Sequence, residues 1–144
     1  LPSWLFTDYC SRITIHGVLS MKVFVLLGSI NAFLGVALGA FGAHGLKSKV
    51  SPEMLVVWQT GVQYHLVHAL ALLLIGILCH LMPDPALARN AGWAILVGIL
   101  RYSGSLYGMA LSGVRALGII TPLGGVAFLV GWLLLTLAAW KNVS

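Results

Sequence analysis

The sequence has few charged residues and very few acidic ones. Only 8% of its 144 residues are Asp, Glu, Lys or Arg, whereas about 25% is usual in soluble domains. Hydrophobic residues make up 60%, although so short a chain would expose much polar surface if it were soluble. This composition excludes a soluble domain, a disordered chain and a coiled coil. The eight Lys and Arg residues, against three acids, form no basic cluster. We therefore interpret them as flanking a lipid bilayer and predict no nucleic-acid partner.

The chain also lacks the residue groupings on which common enzyme chemistries depend. Its acids, Asp8, Glu53 and Asp84, lie outside the long apolar stretches, so no acidic pair for general acid–base catalysis is indicated. No nucleotide-binding glycine loop and no Ser-His-Asp or Cys-His arrangement is present in the sequence. Cys10 and Cys79 are too few for a disulfide framework. These absences predict a protein that is not an enzyme and that holds no cofactor or metal.

Four long apolar tracts dominate what is present. They cover residues 23–46, 54–83, 90–114 and 116–140. Each is longer than the ~20 residues that a helix needs to cross a hydrocarbon core of about 30 Å. A β-barrel is excluded because the tracts show no period-two alternation and are far longer than about ten residues. Trp58, Trp93 and Trp140 lie near the expected helix ends, where aromatic side chains anchor a protein in the membrane interface. The sequence therefore predicts an all-α integral membrane protein.

Prolines mark where the later helices begin. In Ser51-Pro52, Asp84-Pro85 and Thr121-Pro122, a proline follows a residue whose side-chain oxygen can cap a helix N-terminus. We expect helices near residues 22–44, 52–81, 85–112 and 122–141. Their connections are short, so neighbouring helices should run antiparallel and form a compact four-helix bundle in up-down-up-down order.

The first twenty residues differ from the rest of the chain. They show no sustained period, whereas Met21-Lys22 followed by an apolar run resembles a genuine protein start. We expect residues 1–20 to be an over-extended start or a sequence added for expression, and residues 21–144 to form a single transmembrane domain. The alternative is a short amphipathic segment that lies on the membrane, helped by Trp4 and Phe6.

Small residues recur at helical spacing in two of the tracts. The first tract contains Gly28, Ala32, Gly35, Gly39 and Gly42, and the third contains Gly104, Gly108 and Ser112. Such seams let two helices approach closely, and close approach matters in lipid because no hydrophobic force drives helices together there. The seams indicate either packing inside the bundle or a contact between subunits.

Polar residues are concentrated in the second tract. Within ten residues it contains Gln59, Thr60, Gln63, Tyr64, His65 and His68. At ~1.5 Å per residue, His65 lies about 20 Å along the helix from Pro52, within the hydrocarbon region. Polar side chains are costly against lipid, so His65 and His68, with Gln63 and Tyr64 beside them, should face the first and third helices. We expect them to converge on Asn31 or His44.

Two hypotheses for a ligand follow from these residues. The imidazoles of His65, His68 and His44 could bind a metal or haem iron. The favoured interpretation is that His65 and His68 form hydrogen bonds across helices to Asn, Ser, Tyr or backbone carbonyls. Arg101 is the one formal charge well inside a tract. Its partners would be backbone carbonyls, hydroxyls such as those of Ser103 or Ser105, a lipid phosphate or an anionic ligand. Alternatively, its side chain extends to the membrane surface.

Four ordered motifs resemble a known family. They are Ala37–Gly45 (ALGAFGAHG), Trp58–His65 (WQTGVQYH) followed by His68-Ala-Leu, Ser103–Tyr107 (SGSLY) and Gly118–Gly125 (GIITPLGG). Together they are similar to the YgdD-type uncharacterised inner-membrane family, over Met21 to about Lys141. The resemblance implies four transmembrane helices and a bacterial inner-membrane location, and it implies no activity, substrate or cofactor. Leu100-Arg101-Tyr102 departs from the family pattern, which is apolar there, so Arg101 is not implied to belong to a shared mechanism.

The preferred interpretation is a non-enzymatic accessory or self-associating membrane subunit whose polar interior binds a small ligand or lipid. Its partners would be the lipid bilayer and a homo-oligomer or larger membrane complex. The candidate ligand-binding residues are His44, Gln63, Tyr64, His65, His68, Asn31 and Arg101. One alternative is a small transporter or channel whose path is lined by His65, His68 and Tyr64. The other is a metal- or haem-binding membrane protein.

Overall fold

The computed structural model describes residues 2–143, except for the side chains of residues 5, 6, 8, 9 and 12–14. Within that range its α-helices are α1 (Ser3–Ala40), α2 (Pro52–Leu81), α3 (Ala86–Gly98), α4 (Gly104–Ser112) and α5 (Ile120–Asn142). A π-helical turn, Phe41–Leu46, continues α1, a second one, Ile99–Ser103, joins α3 to α4, and a 3₁₀ turn, Arg115–Ile119, precedes α5.

Across residues 2–143, four helical stretches are long and apolar enough to cross a membrane. We refer to them as the first span (Ile15–Leu46), second span (Pro52–Leu81), third span (Ala86–Ser112) and fourth span (Arg115–Asn142). The prediction of an all-α membrane protein with four transmembrane helices is confirmed.

The start of α1 differs from the sequence prediction. The helix begins at Ser3, whereas we expected it near residue 22. A Cβ on Gly17 would lie 3.1 Å from the carbonyl oxygen of Cys79, and Ser20 is buried, so the segment before Met21 already packs on the end of α2. No proline lies near Met21, so nothing removes a backbone hydrogen bond of the helix there. Trp4 is exposed, and the Phe6 side chain lies outside the described residues.

One of the three expected caps forms at the starts of the later helices: the Ser51 hydroxyl accepts a hydrogen bond from the backbone N–H of Met54. Asp84 accepts one from the N–H of Ala86, but α3 begins at Ala86 with Pro85 as its N-cap residue, so Asp84 lies one residue before the N-cap position. The cap expected at Thr121-Pro122 is wrong, because α5 begins earlier, at Ile120. The preceding 3₁₀ turn starts the helix, and a proline in its first turn removes no helical hydrogen bond.

The first and second spans pack through the first glycine seam. A Cβ added at Gly28, Gly35 or Gly42 would lie 2.9, 2.7 or 2.5 Å from the side chain of Leu73, Leu66 or Trp58, respectively. Residue numbers rise in one helix as they fall in the other, so the two helices are antiparallel. This seam therefore serves packing inside the bundle, the first of its two possible uses.

The third and fourth spans are also antiparallel and packed through glycines. Gly124 lies against the backbone of Tyr102, and Gly131 lies against Ile95. The seam expected on the third span takes part only in part: a Cβ on Gly108 would lie 3.1 Å from Leu117 of the fourth span, whereas a Cβ on Gly104 would have no atom within 4 Å. The second span lies between the first and third, and the fourth packs on the third.

Ion pairs connect the helix ends at both faces of the bundle. Lys141 Nζ donates to Asp84 Oδ2 at 2.6 Å, and Asn142 both accepts from the Asp84 N–H and donates to its carbonyl oxygen. The hydrogen bond from Lys141, with that from the Ala86 N–H, lowers the pKa of Asp84 below its ordinary value. At the other face, Arg115 pairs with Glu53 at 3.2 Å.

Candidate functional site

His65 connects three spans through hydrogen bonds. Its Nε2 lies 3.1 Å from Asn31 Oδ1, and its Nδ1 lies 3.0 Å from the Tyr107 hydroxyl. Asn31 Nδ2 donates to the carbonyl oxygen of Leu27 at 2.8 Å, so Asn31 presents an acceptor to the histidine. His65 Nε2 must therefore carry the proton, and His65 Nδ1 accepts from Tyr107. An apolar interior favours the neutral ring, in which Nδ1 accepts, and both nitrogens are then engaged.

His68 connects the second span to the fourth with the opposite tautomer. Its Nδ1 lies 2.7 Å from the Tyr64 carbonyl oxygen, which can only accept, so Nδ1 carries the proton. Trp132 Nε1 donates to His68 Nε2 at 3.1 Å. The imidazole stacks on Phe128 with ring centroids 3.6 Å apart and planes 12° apart. This ring is also neutral and fully hydrogen-bonded.

These contacts satisfy the polar groups of the interior. Every buried side-chain nitrogen and oxygen in the described residues has a hydrogen-bond partner. In the same residues, no three His, Cys, Asp or Glu side chains are grouped closely enough to hold a metal ion. A metal at His65 or His68 would have to displace an existing hydrogen bond from each ring, which disfavours the metal or haem hypothesis.

The structure brings together some of the expected site residues and separates others. His65 and Asn31 meet in the interior, but His68 faces the fourth span, which corrects the expectation that it faces the first and third. His44 is exposed in the π-helical turn that ends the first span, so it does not join them. Gln63 and Tyr64 point outward, because each step along a helix turns the side chain by about 100°.

Arg101 also lies outside the expected interior site. Its side chain is exposed on the π-helical turn near the middle of the third span. The outward position favours the hypothesis that the guanidinium group extends along the bundle surface toward the membrane interface.

Four residues that hold the site were not identified from sequence. Trp132 and Tyr107 supply the hydrogen bonds described above. Ser103 donates to the carbonyl oxygen of Gly61 at 2.8 Å. Trp58 donates to that of Leu38 at 2.9 Å, and it is buried, not the interfacial anchor that its position predicted. These residues could have been identified from sequence because each places an N–H or O–H group in an apolar tract, and such a group needs a hydrogen-bond partner in lipid.

A groove opens beside His68 on the outer surface of the bundle. It has a volume of about 460 Å³, and the rings of Tyr64 and Tyr102 lie 4.6 Å apart in its wall. Its lining residues are Tyr64, His68, Tyr102, Pro122, Gly125, Val126, Phe128, Leu129 and Trp132. Leu129 and Val126 are 71% and 57% exposed, so the groove faces the surroundings of the spans.

Comparison with known proteins places the chain among uncharacterised membrane proteins. Residues 38–125 match a family described as protein of unknown function (DUF423). The chain belongs to the DUF423 family. It is 50% identical over 121 residues to the UPF0382 membrane protein YwdK of Bacillus subtilis, which covers 84% of this chain and 98% of that protein.

Two Staphylococcus proteins are similar to this DUF423 chain to nearly the same degree. The UPF0382 membrane protein SERP0230 of Staphylococcus epidermidis is 47% identical over 122 residues, and SAB0533 of Staphylococcus aureus is 46% identical over 122 residues. Each match covers 84% of this chain and 98% of the relative. No solved structure matches the chain. All three relatives are named as membrane proteins, which agrees with the four apolar spans of this DUF423 protein.

The family match contains much of the site, but not all of it. Residues 38–125 include His65, His68 and Tyr107. Asn31 and Trp132, which complete the hydrogen bonds of the two imidazoles, lie before and after that range. The site of this DUF423 protein is therefore assembled from the matched segment and both flanking helices.

Proposed function

We propose that this protein is a non-enzymatic accessory or self-associating subunit of the bacterial inner membrane, where it binds a lipid acyl chain or a small apolar ligand of similar width. The observation that carries the proposal is the aromatic groove beside His68. Its volume, about 460 Å³, lies within the ~300–1,000 Å³ that is typical of ligand sites. The resemblance to the YgdD-type family supports the inner-membrane location.

The groove is chemically suited to an apolar chain. Most of its surface is aromatic or aliphatic, and His68, at its wall, has both nitrogens engaged by Tyr64 and Trp132. A ligand in the groove therefore meets few free donors or acceptors, so dispersion contacts with the rings would hold it. The sequence predicted that a ligand binds in the polar interior; we propose that it binds in this outer groove instead.

The hydrogen bonding of the interior supports a non-enzymatic role. A general base needs a free lone pair, and a nucleophile needs a base to activate it. The lone pair of each buried imidazole instead accepts from Tyr107 or Trp132. The Ser103 hydroxyl is likewise held by a carbonyl oxygen.

Photo-crosslinking tests the groove directly. The purified protein is reconstituted with phospholipids that carry a diazirine in the acyl chain, irradiated, and digested for mass spectrometry. Labels should concentrate on Tyr64, Leu129 and Trp132. Gly125→Leu would fill the groove, since a Cβ there meets only the Tyr102 ring at 3.9 Å, and it should reduce groove labelling several-fold.

Gly104→Leu is the matched control, because it adds the same side chain on the open face of the third span. It should leave groove labelling unchanged. Equal labelling of the groove in the wild type and Gly125→Leu would refute the proposal. Ion or solute flux through proteoliposomes that depends on His68 would favour the transporter or channel alternative instead.

A further inference from the structure

The outward face of the second span carries two glutamines without partners. Gln59 and Gln63 lie one helical turn apart and are exposed, and neither side chain makes a hydrogen bond anywhere in residues 2–143. The exposed residues of this face recur every three or four positions. They are Val56, Gln59, Gln63, Val67, Leu70, Leu74, Ile77 and Leu81, and we call them the glutamine stripe.

Both glutamines lie at membrane depth. The second span has 30 residues and is therefore about 45 Å long, against a hydrocarbon core of about 30 Å. If the helix is centred, about 7 Å extends beyond the core at each end. Gln63 is about 16 Å from Pro52 along the axis and Gln59 about 10 Å, so Gln63 lies well inside the core and Gln59 just inside it.

Two threonines on the spans avoid this cost by bonding to their own backbone. Thr60 donates to the carbonyl oxygen of Val56 at 3.0 Å, and Thr136 donates to that of Trp132 at 2.9 Å. Gln59 and Gln63 make no such bond. An amide in hydrocarbon without a partner is costly, so the glutamines require a partner from outside the chain.

Building on the self-association proposed above, we infer that a second copy of this chain packs on the glutamine stripe. A carboxamide is both a donor and an acceptor, so two identical carboxamides can pair with each other. Copies inserted in the same orientation are related by a two-fold axis along the membrane normal. The two helices are then parallel, and Gln63 meets Gln63 of the second copy at the same depth, as Gln59 meets Gln59.

Arg101 and Gly104, on the outward face of the third span, do not offer such pairing between identical side chains. Arg101 carries only donors, so it cannot pair with itself in a symmetric dimer. Gly104, one turn away, presents a small-residue face but no polar group that needs a partner. Ser29 is exposed on the first span, but its single hydroxyl can bond to a carbonyl oxygen of its own helix. The glutamine stripe instead offers two self-complementary carboxamides per copy.

The test measures association of the full-length chain in liposomes by energy transfer between copies labelled on a terminal tag, over a series of protein-to-lipid ratios. The double variant Gln59→Leu with Gln63→Leu should weaken association roughly tenfold, as expected for loss of two interhelical amide contacts. Both side chains are exposed and make no hydrogen bond within the described residues, so this variant should fold. Gln63→Asn keeps a carboxamide and should retain most of the association.

Gly104→Leu again serves as the control, since it blocks the open face of the third span. Normal association of Gly104→Leu with loss in the double leucine variant supports the glutamine stripe as the interface. Loss only in Gly104→Leu would overturn that inference while leaving self-association in place. A wild-type protein that is monomeric at every protein-to-lipid ratio would overturn self-association itself. The ligand-binding part of the proposed function would then still stand or fall by the photo-crosslinking of the groove.

Discussion

A single methyl group at Gly124 tests how closely the third and fourth spans must approach. A Cβ there would lie 2.7 Å from the Cα of Tyr102 and closer still to its backbone nitrogen. Because these are backbone atoms, no side-chain rotation can relieve the overlap. The fourth span would have to move by about 1 Å to restore an ordinary contact.

That movement sets the size of the expected effect. Overpacking at a well-packed contact costs about 1–3 kcal/mol. The same shift would stretch the hydrogen bond between Ser105 and Thr121, whose oxygens are 2.7 Å apart and lie one turn from Gly124, at a cost of about 1 kcal/mol. Alanine recovers up to about 1 kcal/mol through its higher helix propensity. We therefore expect Gly124→Ala to lower the free energy of unfolding by about 1–3 kcal/mol.

Gly104→Ala is the matched control. Gly104 has helical backbone angles, φ −59° and ψ −42°, and open space where the Cβ would stand. The variant should be as stable as the wild type or more stable by up to about 1 kcal/mol. Reversible unfolding in mixed detergent and SDS micelles, followed by tryptophan fluorescence, measures both changes. The close-approach argument is refuted if Gly124→Ala matches or exceeds the stability of the wild type.

Three further changes test the buried hydrogen bonds, a surface ion pair and the first seam. Asn31→Leu should lower the free energy of unfolding by about 1–3 kcal/mol, because it leaves the buried imidazole N–H of His65 without a partner. In a double-mutant cycle, its effect should be smaller in a His65→Leu background; equal effects in both backgrounds would contradict the hydrogen bond. The Lys141 hydrogen bond lowers the pKa of Asp84, so its stabilisation is complete above the ordinary carboxyl pKa of about 4 and is lost as pH falls through the lowered value. Asp84→Asn should therefore lower the free energy of unfolding at pH 7, by no more than about 1 kcal/mol for so exposed a pair. The difference from the wild type should vanish in acid; a difference that grows there would contradict this reasoning. Gly42→Val should displace the indole ring that lies against this glycine, at a cost of about 1–3 kcal/mol, and increase quenching of tryptophan fluorescence by iodide, whereas unchanged quenching would argue against the close contact.

The polar residues of the second span illustrate how far sequence reasoning reaches. His65 could be placed in the interior because an imidazole is costly in hydrocarbon, and Asn31 was an available partner at the right depth. Gln63, Tyr64 and His65 cannot all face the interior on the same argument, because the side chains of consecutive helical residues point about 100° apart. His68 is about 60° away from His65 around the helix, which is enough for it to face a different neighbour.

The sequence alone determined that this chain is a bundle of four membrane-crossing helices, where α2 begins, and that imidazoles lie at membrane depth. These properties depend on the transfer free energy of each residue and on local capping, which are contained in a short stretch of chain. Only the tertiary structure decided that the first glycine seam is internal and Gly104 is not, that His68 meets Trp132, and that Arg101 and Gln63 face outward. Those outcomes depend on the rotation and register of each helix against its neighbours, which are fixed by the sum of many side-chain contacts between distant parts of the sequence.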